Sequence, residues 1–206
     1  MSGGQLRLIG GRRLRSPAGQ STRPTTSRVR EALMNMFQAE LQGCHWLDLC
    51  SGSGVMGCEA LQHGAERVVA IENNPRTAAI CRENLETVAS AHTERARVSV
   101  IRRDLLSWLK SGRPADEPAF SMVYFDPPYA ARIYNETLDL LHRGRWVQPE
   151  GLVICEYASN IQLEAPSPWI ERERRRYGTS SLLILSPPGH YPGDTGSKQP
   201  QTDPKA

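Results

Sequence analysis

The chain lacks the features that would place it in several large classes. Its 206 residues contain no apolar run long enough to cross a bilayer and no apolar signal core near Met1. That excludes a helical membrane span and predicts a cytoplasmic protein with no membrane partner. Five cysteines, at 44, 50, 58, 81 and 155, form no CxxC pair, and several sit inside apolar runs such as Trp46-Leu47-Asp48-Leu49-Cys50. The pattern argues against a disulfide scaffold or a zinc ribbon; buried thiols in a reducing compartment are expected, and no metal. Acid is missing from residues 1–30, which instead carry seven arginines: Arg7, Arg12, Arg13, Arg15, Arg23, Arg28 and Arg30. Since the whole chain has a formal net charge of only +3, the remainder is net acidic. A basic arm on an acidic body suits a polyanion, although a solvated basic terminus has the same composition.

The length fits one domain with short additions at its ends, and a monomer is expected. A chain of this size buries roughly 70% of its unfolded surface and needs no covalent staple. Residues 1–26 read as a basic hairpin and loop: Gln5-Leu6-Arg7-Leu8-Ile9 alternates polar and apolar side chains, then meets Gly10-Gly11. Helical spacing begins near Ser27, with Val29, Leu33, Met36, Phe37 and Leu41 on one face. From Cys44 onward, strands at 45–50, 67–71, 98–101, 120–125 and 152–156 alternate with helices at 55–63, 75–88, 105–109 and 133–142. Asn74 is placed to cap the second of these helices, with Pro75 in its first position. The alternation predicts an α/β domain over residues 27–186, with a mostly parallel sheet covered on both faces. Residues 169–177 and 180–185 read as two antiparallel finishing strands. The segment 187–206 holds five prolines and three glycines and is predicted to be disordered.

Ligands of such a sheet bind beyond the carboxyl ends of its strands. The loop there is Asp48-Leu49-Cys50-Ser51-Gly52-Ser53-Gly54-Val55-Met56-Gly57, a literal GxGxxG, and Glu72-Asn73 follows the second strand. A dinucleotide fits this pattern as well as any other adenosine cofactor. Asp48 favours S-adenosylmethionine, because a carboxylate repels pyrophosphate and attracts an ammonium and a sulfonium. Opposite charges about 4 Å apart gain roughly 4 kcal/mol at an effective dielectric near 20. Cys50, Gly52, Ser53 and Gly54 would line the cofactor, Glu72 would hold its ribose, and Asp104-Leu105 would meet its adenine. Asp104 is equally well placed as a helix cap.

Asp126-Pro127-Pro128-Tyr129 follows the apolar run Met122-Val123-Tyr124-Phe125 directly. The prolines end the strand and stiffen the turn, so an acid, two rigid carbonyls and a ring stand at the sheet's carboxyl edge. An exocyclic amino group on a base is a poor nucleophile, because its lone pair is delocalised into the ring. Acceptors for its two hydrogens, the Asp126 carboxylate and the Pro127 carbonyl, would free that pair. Tyr129 would stack on the base.

With these residues assembled, the chain resembles the bacterial small-subunit (16S) ribosomal RNA guanine-N2 methyltransferases of the RsmD type, over about residues 6–185. The marks are Arg7-Leu8-Ile9-Gly10-Gly11, the segment Arg23-Pro24-Thr25-Thr26-Ser27-Arg28-Val29-Arg30-Glu31-Ala32-Leu33, the loop from Leu47 to Gly57, Glu59-Ala60-Leu61, and Phe125 to Tyr129. Ser27 stands where that family commonly has Asp, and Cys50-Ser51 where it has an aromatic-alanine pair. The resemblance implies a class I methyltransferase fold, a Rossmann-like sheet of seven strands, with S-adenosylmethionine as cofactor. It also implies 16S ribosomal RNA as partner, free or within a partly assembled or complete small subunit. The residues alone leave open adenine N6 or a protein amide as acceptor, a nicotinamide-dependent oxidoreductase, and a non-catalytic RNA-binding assembly protein.

Overall fold

The computed structural model describes residues 6–17, 26–91, 96–128 and 133–189. The chain opens with the expected hairpin, in which Leu8 N–H donates to the Arg12 carbonyl (2.9 Å) and Leu14 N–H to that of Leu6 (2.9 Å). Gly11 closes the turn at φ 83°, a left-handed conformation that glycine adopts without strain. Leu6, Leu8 and Leu14 are buried in the same apolar cluster as the helices that follow, so the hairpin shares the domain's core.

Helix α1 (Ser27–Met36) starts at Thr26, whose hydroxyl accepts from Val29 N–H. The apolar spacing continues to Leu41, but the helix breaks at Phe37 and resumes as α2 (Gln38–Leu41). Met34, rather than Met36, takes the fully buried place. Then come β1 (His45–Leu49), α3 (Val55–Gln62), β2 (Arg67–Glu72), α4 (Pro75–Ala89), β3 (Arg97–Arg102) and α5 (Leu105–Lys110). The chain finishes with β4 (Phe120–Phe125), α6 (Tyr134–Arg143), β5 (Val147–Ala158), β6 (Ile170–Tyr177) and β7 (Ser180–Ser186). Asn74 caps α4 as its sequence predicts, accepting from the amides of Arg76 and Thr77 with Pro75 at the first turn. Among the described residues no helix is long and apolar enough to cross a membrane.

The sheet has seven strands in the order β3-β2-β1-β4-β5-β7-β6. Strands β1 to β5 are mutually parallel; β7 pairs antiparallel with β5 and with β6. This is the class I methyltransferase arrangement. One face is covered by the hairpin, α1, α3 and α4, the other by α5 and α6 with Leu163 and Trp169. Fully buried β7 lies inside the sheet, while β6 is the edge strand with charged side chains on an exposed ladder, which discourages pairing with a second chain. Strand β5 begins five residues before the apolar run that announces it. Gln148, Pro149 and Glu150 extend it as an irregular stretch where the register against β4 shifts.

Arg30 corrects an expectation drawn from charge. Its place in the basic stretch 1–30 predicts a side chain turned to a polyanion, yet it points inward and is 5% exposed. Its Nε meets the buried Glu59 carboxylate at 3.1 Å, and its guanidinium donates to the Arg7 carbonyl at 2.7 Å. The same Glu59 oxygen accepts Ile9 N–H at 3.0 Å. Helical periodicity puts residue 30 beside Val29 and Leu33 on the packed face, so its charge serves the core. Removing one partner leaves a buried charge alone, which costs about 3–5 kcal/mol. Urea denaturation of Arg30→Ala should therefore show a loss of that size, against less than about 0.5 kcal/mol for Arg13→Ala on the surface.

Candidate active site at the reversal of strand order

Strand order reverses between β1 and β4, the position where ligands of open α/β sheets bind. Leu49 and Phe125, the last residues of these strands, are register partners. The glycine loop and the Asp126-Pro127-Pro128 turn therefore leave the sheet side by side, about 4.8 Å apart at their roots.

The loop is built tightly. Cys50 holds a left-handed conformation (φ 60°) that few non-glycine residues adopt, followed by Gly52 (φ 54°) and Gly54 (φ 75°). A methyl group at Gly54 would lie 2.7 Å from Cys81 Sγ, and one at Gly57 would lie 2.9 Å from Val68 Cγ1. Gly54 thus shapes the turn, and Gly57 lets α3 settle against β2 and α4. Glu72 ties the loop down: one carboxylate oxygen accepts Gly52 N–H at 2.9 Å, the other Asn74 N–H at 2.8 Å. An ionised carboxylate has about four lone-pair sites, so both oxygens can still accept ribose hydroxyls. Asn73 beside it is exposed.

Asp48, expected to meet the cofactor's positive charge, does not line the loop's open surface. It is 1% exposed, beneath the loop, and accepts Gly57 N–H at 3.2 Å. Position 48 falls within β1, and strand alternation turns its side chain towards α3. Burial pushes its pKa up to about 7; the bond from Gly57 opposes the shift and Glu72 adds to it. Asp104 is an exposed cap of α5, accepting Ser107 N–H at 2.9 Å, and that bond above all holds its carboxyl below the ordinary value. Leu105 behind it is buried. Asp126 is half-buried, Pro127 buried and Pro128 exposed; Tyr129 lies outside the described residues.

Cys50 reports how these groups converge. Burial first, then the carboxylates of Glu72, Asp48, Asp126 and Asp104, push its thiol up to about 12. Four acids separated by up to 78 residues act on one sulfur at the switch point. Among the described residues no three metal-ligating side chains are grouped to hold an ion. The acids form a spread negative field, which attracts a cationic ligand and repels phosphate.

Two further residues belong to this neighbourhood. Glu156 on β5 is buried at 2% exposure beside the root of Asp126, since Phe125 pairs with Cys155; it accepts the Tyr124 hydroxyl, and its carbonyl accepts that of Tyr134 at 2.7 Å. The signal was an acid inside Leu152-Val153-Ile154-Cys155-Glu156-Tyr157. Asn84 on α4 bonds to the loop and to the hairpin, and nothing in its local sequence announces that. The hairpin arginines are unequally committed. Arg7 donates to the Gly11 carbonyl, Arg12 to that of Thr87, and Arg15 pairs with Glu83. Arg13 and Arg28 are exposed and hold no ion pair among the described residues, whereas Arg23 lies outside them.

A family model described as conserved hypothetical protein 95 matches residues 2–186. Ribosomal RNA small subunit methyltransferase D of Haemophilus influenzae is 30% identical over 88% of this chain and 93% of its own length. The chain belongs to the ribosomal RNA small subunit methyltransferase D family. The Escherichia coli protein of that name is 32% identical over 83% of this chain and 85% of its own length. Among solved structures, the Escherichia coli protein yhhF superposes with a TM-score of 0.72 at 28% identity, covering 89% of this chain and 98% of that one. The rRNA methyltransferase aviRa of Streptomyces viridochromogenes shares the fold at a TM-score of 0.60 and 17% identity, covering 84% of this chain and 88% of its own.

The burial of Asp48 has a measurable consequence. The native carboxyl keeps its proton up to about pH 7, while the unfolded one loses it near pH 4. Between those values the native state binds more protons, so the contribution of this group to stability falls as pH rises through the window. Asp48→Asn, which cannot ionise, should gain about 2–3 kcal/mol on the wild type between pH 5 and pH 7 at about 1.4 kcal/mol per unit. Urea melts of both proteins at the two pH values check this; a constant difference rules it out.

Proposed function

We propose that this protein transfers a methyl group from S-adenosylmethionine to the exocyclic N2 amine of a guanine in 16S ribosomal RNA, free or within an assembling small subunit. The observation that carries the reading is the pairing of Leu49 with Phe125, which brings the acid-ringed glycine loop and the Asp126-Pro127 turn to one cleft. Family membership supports ribosomal RNA as the substrate, and the exposed arginines of the hairpin and α1 suit its phosphates. Guanine rests on the resemblance alone.

Glu72 would hold the ribose hydroxyls, Leu105 and Asp104 the adenine, and the backbone of Cys50 to Gly54 the rest of the cofactor. Asp48, ionised under the loop, would balance its positive charge. Bound there, S-adenosylmethionine would supply the methyl group for the amine's lone pair, and its sulfur would keep both electrons of the C–S bond. Asp126 and the Pro127 carbonyl accept the two N–H hydrogens, so that the lone pair leaves conjugation and points along the line of transfer. Tyr129, outside the described residues, would stack on the base and fix its plane. The proton shed by the methylated nitrogen passes to Asp126 or to water. Orientation and a fixed field do most of this work, and no strong base is required.

Cells in which this chain is the only copy of the enzyme should contain N2-methylguanosine in digested 16S RNA, and Asp126→Ala should remove it. In single-turnover assays that variant should fall by two to three orders of magnitude, about 3–4 kcal/mol of barrier. A rate within threefold of wild type rejects the role of Asp126, and loss of N6-methyladenosine instead moves the substrate to adenine. For the RNA surface, Arg13→Ala with Arg28→Ala should flatten the dependence of log affinity on log salt by about 0.7–0.9 per lost phosphate contact. An unaltered slope removes both residues from the interface.

A further inference from the structure

Asn84 is 3% exposed, and every polar atom of its side chain is used on a partner distant in sequence. Its Nδ2 donates to the Ser53 carbonyl at 2.9 Å and to the Arg15 carbonyl at 3.0 Å, while its Oδ1 accepts Arg15 N–H at 2.9 Å. Ser53 lies between Gly52 and Gly54 at the tip of the cofactor loop, and Arg15 ends the second strand of the hairpin. One buried amide thus joins the element proposed to hold the cofactor to the element proposed to meet RNA.

The surrounding bonds make this link stiff. Glu72 fixes Gly52 from below, so Asn84 supplies the second hold on the loop's tip. The hairpin's first strand is tied to α3 through Ile9 and Glu59, and its buried leucines pack against the same helices. The hairpin therefore spans α3 and α4, the helices that follow the glycine loop and Glu72. A buried amide left without partners costs roughly 1–3 kcal/mol, so Asn84 stays bonded only while hairpin and loop keep their mutual position.

We infer that Asn84 is a positioning residue that couples the N-terminal hairpin to the cofactor loop, so that RNA held on the hairpin tightens cofactor binding, and bound cofactor tightens RNA binding by the same factor. That equality is required of any coupling between two binding sites. The coupling to RNA rests on the RNA surface proposed above; the hold of Asn84 on the cofactor loop does not.

Titration calorimetry with S-adenosylhomocysteine, in the presence and absence of purified 16S ribosomal RNA, separates the two parts. Without RNA, Asn84→Ala should weaken the cofactor product about tenfold, and Asn84→Asp, which keeps the acceptor for Arg15 N–H but loses both donated bonds, should weaken it as much. With RNA, wild type should bind S-adenosylhomocysteine at least threefold tighter, and in Asn84→Ala that ratio should fall to one. Val88→Ala, a packing lesion on the same helix, should lose stability but keep the ratio, which a merely structural role for Asn84 would not predict. Unchanged S-adenosylhomocysteine affinity in both Asn84 variants, or an unchanged ratio, overturns the inference. If neither variant folds, amide exchange at residues 52–55 of the wild type decides: RNA should slow it, and unaltered exchange rejects the coupling. Failure of wild type to bind RNA at all would sink the proposed RNA surface, while the RNA-free affinities still judge the hold of Asn84 on the loop.

Discussion

Everything in the site depends on β1 and β4 being neighbours although two strands separate them in the chain. Both β2 and β3 lie to one side of β1, while β4 and β5 lie to the other, so the connections at this point diverge to opposite faces of the sheet. Divergence of this kind leaves room for a crevice beyond the carboxyl ends of the two strands. The pairing of Leu49 with Phe125 then leaves little choice in where chemistry can occur. In the proposed reaction, a ligand resting on the glycine loop would present its far end to Asp126.

The field in that cleft follows from the way each acid is held. Both carboxylate oxygens of Glu72 are engaged by the amides of Gly52 and Asn74, while Asp104 accepts Ser107 N–H, which favours its charged form. Asp48 lies under the loop with a single amide bond and a raised pKa, which disfavours it. A cation brought close would reverse that balance and draw out its negative charge. In the proposed reaction, Asp48 would act as a reserve of charge that the cationic cofactor draws out. Burial, helped by the surrounding acids, pushes the Cys50 thiol up to about 12 and so keeps that cysteine from acting as a nucleophile.

Much of this could be read from residue order. Alternating apolar runs and amphipathic stretches marked the main strands and helices from residue 45 onward, because a sheet buried on both faces needs continuous apolar strands. The capping of α4 followed from Asn74-Pro75, and the end of β4 at Phe125 from the two prolines just beyond it. What escaped depended on contacts remote in sequence. The early start of β5 runs through Gln148, Pro149 and Glu150, where backbone pairing and not side-chain burial makes the strand. Arg30 looked like its neighbours in a count of charges, and only the placement of Glu59 across from it turns it inward. Asn84 sits in a polar stretch of α4, and its partners lie 31 and 69 residues away.

The hairpin changes meaning once its anchoring is considered. A disordered basic arm gains affinity for a polyanion but must be ordered on binding, and that entropy is subtracted from the gain. Here three buried leucines and the bonds to Glu59 and Asn84 have ordered it in advance. Several of its arginines are already occupied: Arg15 faces Glu83, and Arg12 reaches back to Thr87. The charge left for phosphates is smaller than the seven arginines suggest, but part of it is carried on a scaffold fixed to the helices behind the cofactor loop. Such a surface contributes orientation more than raw attraction. In the proposed reaction, bringing a base to Asp126 at the right angle would demand orientation above all, because misplacement by about 1 Å can cost two orders of magnitude in rate.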